Sequence, residues 1–333
     1  MNELWHALAR QAEQQPAAIA LSDESGSLSY GELWLRIQAQ AQHLTAQLAV
    51  HGASGRPVAL AADNGMAWVV QDLACLLAQI PCVPVPPFFN ETQRRHLLRD
   101  SGCALLCVGT PEGWQLQWLD LPAVTLPAGT CKITYTSGST GAPKGVCLSQ
   151  SQLMRTLVAL AERLGALEVQ QHLCTMPLAV LLENLAGVYL PLWLGRRVHL
   201  PSLGSLGLDS LQHPDPQRFI ATLAASQADS LILLPAARAV ASCCSAPMRW
   251  GCRSTRAMAC RRWVRWWRSM DPLPDVWARL VARSPTCRFA WRPTAKSWCV
   301  ATRCWVIWGI RVRRILRGGW PLVTGASGTP MVS

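Results

Sequence analysis

A stretch of hydroxyl and glycine residues between Ile133 and Val146 holds the side chains best suited to chemistry. It reads ITYTSGSTGAPKGV. Glycine permits positive φ, so successive backbone N–H groups can converge on an anion, and the hydroxyls add further donors. Lys144 supplies a positive charge for a polyphosphate. The pattern is not a Walker A loop, because no Gly-Lys-Ser/Thr closes it. We expect a phosphate-binding loop, and the alternative is a flexible Ser/Gly connector.

The segments around this loop predict an α/β fold. Ile133–Tyr135 is β-prone, whereas Ser149 and Gln152 form a capping box before an amphipathic helix, so the loop is expected to join a strand to a helix. Further strands are predicted at Pro57–Ala61, Cys82–Val85, Ala104–Val108 and Asp229–Leu234, and helices at Gly31–Val50 and Met66–Gln79. This alternation indicates a largely parallel sheet covered on both faces.

Thr136–Gly145 resembles the phosphate loop of the adenylate-forming enzymes, the superfamily of acyl-CoA synthetases, peptide-synthetase adenylation domains and luciferases. Leu28–Leu33 is similar to the start of an early helix in that family. Val58–Asn64 is similar to its first core strand, and Val83–Pro86 to the strand after the next helix. The resemblance covers most of residues 1–234. It implies an incomplete large adenylation domain of layered α/β sheets with flanking helices and without the C-terminal lid.

The resemblance also implies a two-step reaction. A carboxylate attacks the α-phosphate of ATP, which carries Mg²⁺, and gives an acyl-adenylate and pyrophosphate. A thiol, usually that of coenzyme A, then takes the acyl group. The residues that match the family's phosphate-binding positions are Thr136, Ser137, Gly138, Ser139, Thr140, Gly141 and Lys144. Thr136 and Lys144 are also the expected catalytic residues, because donors and cations must hold the developing negative charge.

Met176–Asn184 is similar to a segment near the acyl pocket of fatty-acid-activating members of the family. Glu183 and Asn184 are therefore the candidate substrate-pocket residues. A fatty acid is the first expectation for the substrate and an aryl acid the second. A charged residue inside an apolar run is costly unless it is paired. The alternative is a helix end at which Glu183 faces solvent.

Charge divides the chain near Leu234. Residues 1–234 hold 13 Lys and Arg against 17 Asp and Glu, whereas residues 235–333 hold 18 against 2. The second stretch also has 10 of the 16 Trp and 7 of the 14 Cys. We therefore divide the chain into a partial adenylation domain, residues 1–234, and a basic segment rich in Trp, Arg and Cys, residues 235–333, which we expect to fold poorly.

Residues 235–333 do not show the family's later segments in register, and two interpretations are open. One is a basic tail that binds nucleic acid or anionic lipid through phosphate contacts and stacking.

The other is a shifted reading frame. Trp and Met have single codons ending in G, so codon junctions such as those after Trp250, Met258 and Trp263 are nearly determined in the other frame, and all three encode Gly. With synonymous choices elsewhere, Arg249–Trp267 can encode Tyr-Gly-Leu-Ser-Glu, and Gly318–Thr324 can encode Thr-Gly-Asp. These are the family's adenine-stacking and ribose-binding segments in the family's order, which favours the shifted frame.

The remaining expectations concern activity and compartment. The chain is predicted to be inactive and prone to aggregate, because the shifted segment lacks the family's magnesium-holding Glu, its ribose-binding Asp and its lid. The rivals are a non-catalytic module with a basic binding tail and a pseudo-enzyme that binds ATP without turnover. Unpaired cysteines and a start without a secretory pattern indicate the cytoplasm. No transmembrane segment, no metal site among the chain's own residues and no specific nucleic-acid partner are expected; the expected partners are ATP and a small carboxylic acid.

Overall fold

The computed structural model describes residues 2–136, 142–165, 169–209 and 215–232, which fold into two β-sheets and the helices around them. The helices are α1 (Asn2–Gln14), α2 (Tyr30–Val50), α3 (Met66–Leu77), α4 (Glu91–Asp100), α5 (Gln150–Leu164), a π-helix (Glu183–Tyr189), α6 (Leu190–Trp193) and α7 (Pro216–Ser226). The strands are β1 (Ile19–Asp23), β2 (Gly26–Ser29), β3 (Val58–Ala61), β4 (Cys82–Pro84), β5 (Leu105–Thr110), β6 (Gly113–Trp118), β7 (Thr130–Thr136), β8 (Lys144–Ser149), β9 (Gln171–Leu173), β10 (Arg197–His199) and β11 (Ser230–Leu231).

The first sheet has the strand order β6-β5-β3-β4-β7-β8. Its four inner strands are parallel, and β6 and β8 pair antiparallel at the two ends. All four residues of β3 are buried, as expected for a central parallel strand with both faces covered. The second sheet has the order β11-β9-β10-β1-β2, with only the β1–β2 pair antiparallel. The largely parallel α/β architecture is therefore as the sequence predicts.

Helix α2 shows how a local pattern becomes packing. Ser29 and Glu32 form a capping box that satisfies free N–H groups at the start of the helix, an arrangement that contributes about 1 kcal/mol in other proteins. Its buried side chains recur every three or four residues: Tyr30, Leu33, Ile37, Ala41, Leu44 and Leu48. They join the larger of two apolar clusters, to which β3, α3 and the π-helix also contribute.

In the region after the loop, the structure differs from the sequence-based prediction. The predicted direct step from strand to helix is wrong, because β8 intervenes and pairs antiparallel with β7. The loop therefore connects two strands of a hairpin, and α5 begins only at Gln150, after β8 has ended. The capping box of Ser149 and Gln152 is present as predicted, but the six residues of β8 separate the loop from α5.

Membrane spans, cysteine pairing and the basic segment were further subjects of the sequence-based expectations. Within the described residues no helix is both long and apolar enough to cross a membrane. The cysteines there carry free thiols: Cys75, Cys82, Cys103, Cys107, Cys131 and Cys174 are buried and Cys147 is half-buried. The predicted basic segment, residues 235–333, lies outside the described residues, and so do Leu233 and Leu234 at the end of the predicted last strand.

Candidate nucleotide-binding site

The β7–β8 hairpin brings the two ends of the glycine-rich loop together. Its ladder ends with Thr136 opposite Lys144, so the loop leaves and re-enters the sheet at neighbouring positions. Both residues are exposed. The other candidate phosphate-binding residues, Ser137, Gly138, Ser139, Thr140 and Gly141, lie outside the described residues, and their contacts stay a prediction. The structure thus brings together the two residues expected to be catalytic.

The electrostatic setting of Lys144 suits an anion. Among the ion pairs and hydrogen bonds of the described residues, none engages its ammonium group. An exposed ammonium without a carboxylate partner keeps its charge available for a phosphate oxygen. Thr136 places a hydroxyl directly across the ladder. A hydroxyl and an ammonium are both donors to phosphate oxygens, and neither is a carboxylate of the kind that Mg²⁺ prefers.

A glycine is required at position 145 by the packing of the hairpin. Gly145 lies opposite Tyr135 in the ladder, and a Cβ at this position would be 2.9 Å from Cζ of Tyr135. The Tyr135 ring therefore lies over the glycine, and its hydroxyl donates to Oδ2 of Asp100 on α4 at 2.7 Å. Burial and the neighbouring Asp100 raise the pKa of Tyr135, so its hydroxyl remains a donor.

Glu183 is buried in the π-helix, so the alternative in which it faces solvent is wrong. Its Oε1 accepts a hydrogen bond from the backbone N–H of Thr175 at 3.2 Å and lies 3.4 Å from Nε2 of His172. Its Oε2 has no hydrogen-bond partner in the part of the chain that the structure describes. Whether Glu183 lines an acyl pocket stays a prediction.

Asn184 belongs to a buried polar group that we call the Lys132 cluster: Lys132, Asp72, Asn184 and Tyr189. Nζ of Lys132 donates to both carboxylate oxygens of Asp72 at 2.8 and 2.9 Å and to Oδ1 of Asn184 at 2.6 Å. The Asn184 amide and the Tyr189 hydroxyl both donate to Oδ2 of Asp72, at 2.9 and 2.7 Å. Burial and Asp72 raise the pKa of Tyr189. Sequence reasoning missed this cluster, although a Lys in a buried strand and an Asp in an apolar helix were visible signals.

One group of described side chains has the composition of a metal site. Metal-binding atoms of His172, Cys174 and Glu183 lie within 4.8 Å of one another, and all three residues are buried. Hydrogen bonds already account for much of this group, because Nδ1 of His172 lies 2.9 Å from the Ser230 hydroxyl and Oε1 of Glu183 is taken by Thr175. Burial, followed by the nearby Glu183, raises the pKa of the Cys174 thiol, which disfavours the thiolate that a metal needs.

A surface cavity of about 370 Å³ lies away from these residues. Its lining includes Asp23, Arg36, Gln40, Met66 and Trp114, from β1, α2, α3 and β6. None of the candidate site residues lines it. Its lining holds one cation, Arg36, and one carboxylate, Asp23, so it lacks the several convergent cations that a polyphosphate site would need.

A family model for AMP-binding enzymes matches residues 8–124 and 117–237, which together exceed half of the chain. The chain belongs to this family. It is similar to surfactin synthase subunit 2 of Bacillus subtilis strain 168, with 31% identity over 164 residues that cover 44% of this chain and 4% of that protein. The chain thus spans a small fraction of the peptide synthetases that it matches.

Two solved structures with the same fold contain bound ATP or a bound acyl adenylate. O-succinylbenzoate coenzyme A synthetase from Bacillus subtilis, in complex with ATP and magnesium ion, matches with a TM-score of 0.51 and 21% identity over 68% of this chain and 62% of that chain. A fatty acyl-adenylate ligase from L. pneumophila, in complex with acyl adenylate and pyrophosphate, matches with a TM-score of 0.54 and 19% identity over 68% of this chain and 43% of that chain. At these identities the likeness shows the fold.

Family membership confirms the resemblance drawn from the Thr136–Gly145 motif, and the mixed α/β sheets confirm the expected fold class. The chain is of the adenylate-forming ligase family. The acyl substrate and the acceptor are not settled by this membership, because peptide synthetases and a coenzyme A synthetase both appear among the similar proteins.

Proposed function

We propose that residues 1–234 form the nucleotide-binding part of an ATP-dependent ligase that activates a carboxylic acid as its acyl-adenylate. The observation that carries the proposal is the pairing of Thr136 with Lys144 at the two ends of the glycine-rich loop. This pairing sets a hydroxyl and an ammonium side by side at the exposed end of the hairpin. Between them, Ser137–Gly141 would supply further hydroxyl and backbone donors to a polyphosphate.

In the proposed reaction, the protein stabilises the negative charge that develops when a carboxylate attacks the α-phosphate. A carboxylate oxygen of the substrate forms a bond to the α-phosphorus, and the bond from that phosphorus to the bridging oxygen breaks, which releases pyrophosphate. Lys144 and the hydroxyl of Thr136 offset the negative charge of the leaving pyrophosphate. Mg²⁺ would supply additional positive charge to the phosphates. Thr136 and Lys144, the described residues at the two ends of the loop, carry no carboxylate that could hold it.

For the acyl group we propose a fatty acid, with coenzyme A as the acceptor. The resemblance of Met176–Asn184 to a segment near the acyl pocket of fatty-acid-activating members supports an alkyl substrate, and the likeness to a fatty acyl-adenylate ligase agrees with it. We keep Glu183 and Asn184 as proposed pocket residues. Glu183 is the better candidate for a pocket residue, because its Oε2 has no hydrogen-bond partner among the described residues. The Asn184 side chain, in contrast, already forms hydrogen bonds within the Lys132 cluster. Free thiols in the described residues support a reducing compartment such as the cytoplasm.

The proposal includes inactivity of the chain as written. As written, residues 235–333 show none of the family's adenine-stacking, ribose-binding or lid segments; with synonymous codon choices a shifted frame can encode the first two, and the family match ends at residue 237. Sequencing the encoding DNA across the codon for Leu234 tests this directly. An intact reading frame with no family segments in the other registers would contradict the frame-shift hypothesis.

Nucleotide binding is tested by titrating MgATP into the 333-residue chain and into the Lys144→Ala variant, with calorimetric detection. We expect Lys144→Ala to raise Kd about 10- to 100-fold, the effect of losing a charge-assisted contact. Arg155→Ala is the matched control, because it removes an exposed cation on α5 outside the hairpin. Equal affinity for Lys144→Ala and the parent chain would overturn the proposed nucleotide site.

Turnover is tested separately by ATP–pyrophosphate exchange with medium-chain fatty acids, long-chain fatty acids and amino acids. No exchange above background is expected from the chain as written. Sustained exchange with any of these acids would refute the proposed inactivity, and the acid that supports it would identify the substrate class.

A further inference from the structure

Helix α4 touches the β7–β8 hairpin at both ends of the glycine-rich loop. Near the first end, Tyr135 donates its hydroxyl to Oδ2 of Asp100 at 2.7 Å, one residue before Thr136. Near the second end, Nε2 of His96 lies 2.9 Å from the carbonyl oxygen of Pro143, one residue before Lys144. One helix thus holds the two residues next to the candidate catalytic pair.

The two contacts share one face of α4, because His96 and Asp100 are four residues apart on a helix. Leu97 between them is fully buried and fixes the helix against the smaller apolar cluster. The helix start is held by a capping box of Asn90 and Gln93. The helix is therefore a fixed support, and its contacts constrain the hairpin rather than follow it.

The proton positions in both contacts follow from the chemistry of the partners. A carbonyl oxygen only accepts, so Nε2 of His96 carries the proton that it donates to Pro143. The Asp100 carboxylate accepts from Tyr135, whose pKa is raised by burial and by Asp100 itself. The absent side chain of Gly145 leaves the Tyr135 ring the room to reach Asp100.

We infer that His96 and Asp100 are positioning residues for the polyphosphate: they brace the two ends of the glycine-rich loop so that Thr136 and Lys144 face the nucleotide at a fixed separation. This inference rests on the proposed function. Ends that are fixed before binding reduce the ordering that the nucleotide must drive, which increases affinity.

The test compares MgATP with inorganic pyrophosphate, which has a polyphosphate but neither adenine nor ribose. His96→Leu and Tyr135→Phe each remove one contact of α4 with the hairpin, and each is expected to raise Kd for MgATP about 3- to 10-fold, the effect of one hydrogen bond. Kd for pyrophosphate is expected to rise by the same factor, because the brace acts on the polyphosphate. His96→Gln keeps an N–H donor on the side chain and is expected to recover most of the affinity that His96→Leu loses. Arg95→Leu is the matched control, because its side chain pairs only with Glu91 on the exposed face of α4.

Hydrogen exchange gives a second readout that does not need the nucleotide. The amides of Ala142, Lys144 and Gly145 are expected to exchange faster in His96→Leu than in the parent chain or in Arg95→Leu. If His96→Leu does not fold, as judged by thermal melting, His96→Gln and Tyr135→Phe carry the test.

Three outcomes separate the inference from the proposed function. If Lys144→Ala leaves MgATP binding unchanged, the proposed function fails, and faster exchange at Ala142–Gly145 in His96→Leu still reports a brace. If Lys144→Ala weakens binding but His96→Leu and Tyr135→Phe do not, the brace is overturned and the proposed function stands. A loss for MgATP without a loss for pyrophosphate would also overturn it, because the effect would then not depend on the polyphosphate.

Discussion

Replacing Lys132 by Met is expected to lower the free energy of unfolding far more than a loss of apolar contacts at that position would. Met keeps most of the aliphatic volume of the lysine side chain and removes only the ammonium group. That group donates two hydrogen bonds to Asp72, at 2.8 and 2.9 Å, one to Asn184, at 2.6 Å, and one to the Tyr189 hydroxyl, at 3.0 Å, and the side chains of Lys132 and Asp72 are both 1% exposed. The substitution therefore leaves a buried carboxylate without its counter-ion and a buried amide oxygen without its donor.

The expected magnitude is about 3–5 kcal/mol, the usual cost of breaking a buried pair by removing one partner. A domain has about 5–15 kcal/mol of stability in total, so Lys132→Met is expected to bring this one close to unfolding at room temperature. Asp72 keeps the donors on Asn184 and Tyr189, which favours the lower half of that range. Adding Asp72→Asn to Lys132→Met removes the stranded charge at nearly constant volume, and is expected to restore at least half of the loss.

Urea unfolding followed by far-ultraviolet circular dichroism measures both effects. Circular dichroism is preferred to Trp fluorescence because 10 of the 16 Trp residues lie after Leu234. A Lys132→Met variant within about 0.5 kcal/mol of the parent chain, the range of ordinary surface substitutions, would refute the reasoning. So would a double variant less stable than Lys132→Met alone, because the stranded charge would then not be the cause.

Two further predictions concern the hairpin and the second sheet. Gly145→Ala places a Cβ 2.9 Å from the Tyr135 ring and is expected to cost about 1–3 kcal/mol in urea unfolding, whereas Gly204→Ala, with nothing within 4 Å, is expected to cost less than 1; equal costs would contradict the packing explanation. Burial lowers the pKa of His199 below its ordinary 6.5, partly opposed by Glu24, so the unfolded chain takes up this proton more readily than the folded one. Stability is therefore expected to fall as the pH drops below about 6.5, and His199→Gln should flatten that slope; an unchanged slope would assign the dependence to another group.

The sequence predicted those parts of the fold whose signals are local. Helix α2 was predicted because its apolar residues recur with helical period behind a capping box. The central strand β3 was predicted because it is short, apolar and bounded by turns. Strand β8 was missed because KGVCLS alternates weakly, begins with a charged residue and obtains its structure from pairing with β7. β propensity depends on such neighbours more than helix propensity does.

The features of the candidate site also differ in whether the sequence could predict them. The glycine-rich loop was recognisable because its residue types and their order carry the chemistry directly. The burial of Glu183 and Asn184 was not, since their partners are distant in sequence: Asn184 bonds Lys132, which precedes it by 52 residues, and Asp72, which precedes it by 112. The brace from α4 was equally invisible, because the Pro143 carbonyl that His96 contacts is backbone and leaves no trace in the residue type.

The boundary near Leu234 is supported by two independent observations. The family match ends at residue 237, and the balance of charge reverses after residue 234, from 13 basic against 17 acidic residues to 18 against 2. A basic tail acquired for binding would account for the charge, but it gives no reason for the other frame to encode the family's later segments in their order. A shifted frame would account for both, because the codons for those segments would then be read as Trp, Arg and Cys. Restoring the frame should therefore add a ribose-binding Asp and a magnesium-holding Glu to the hairpin of Thr136 and Lys144, and tighter binding of MgATP by the restored chain than by the chain as written is the result that this hypothesis requires.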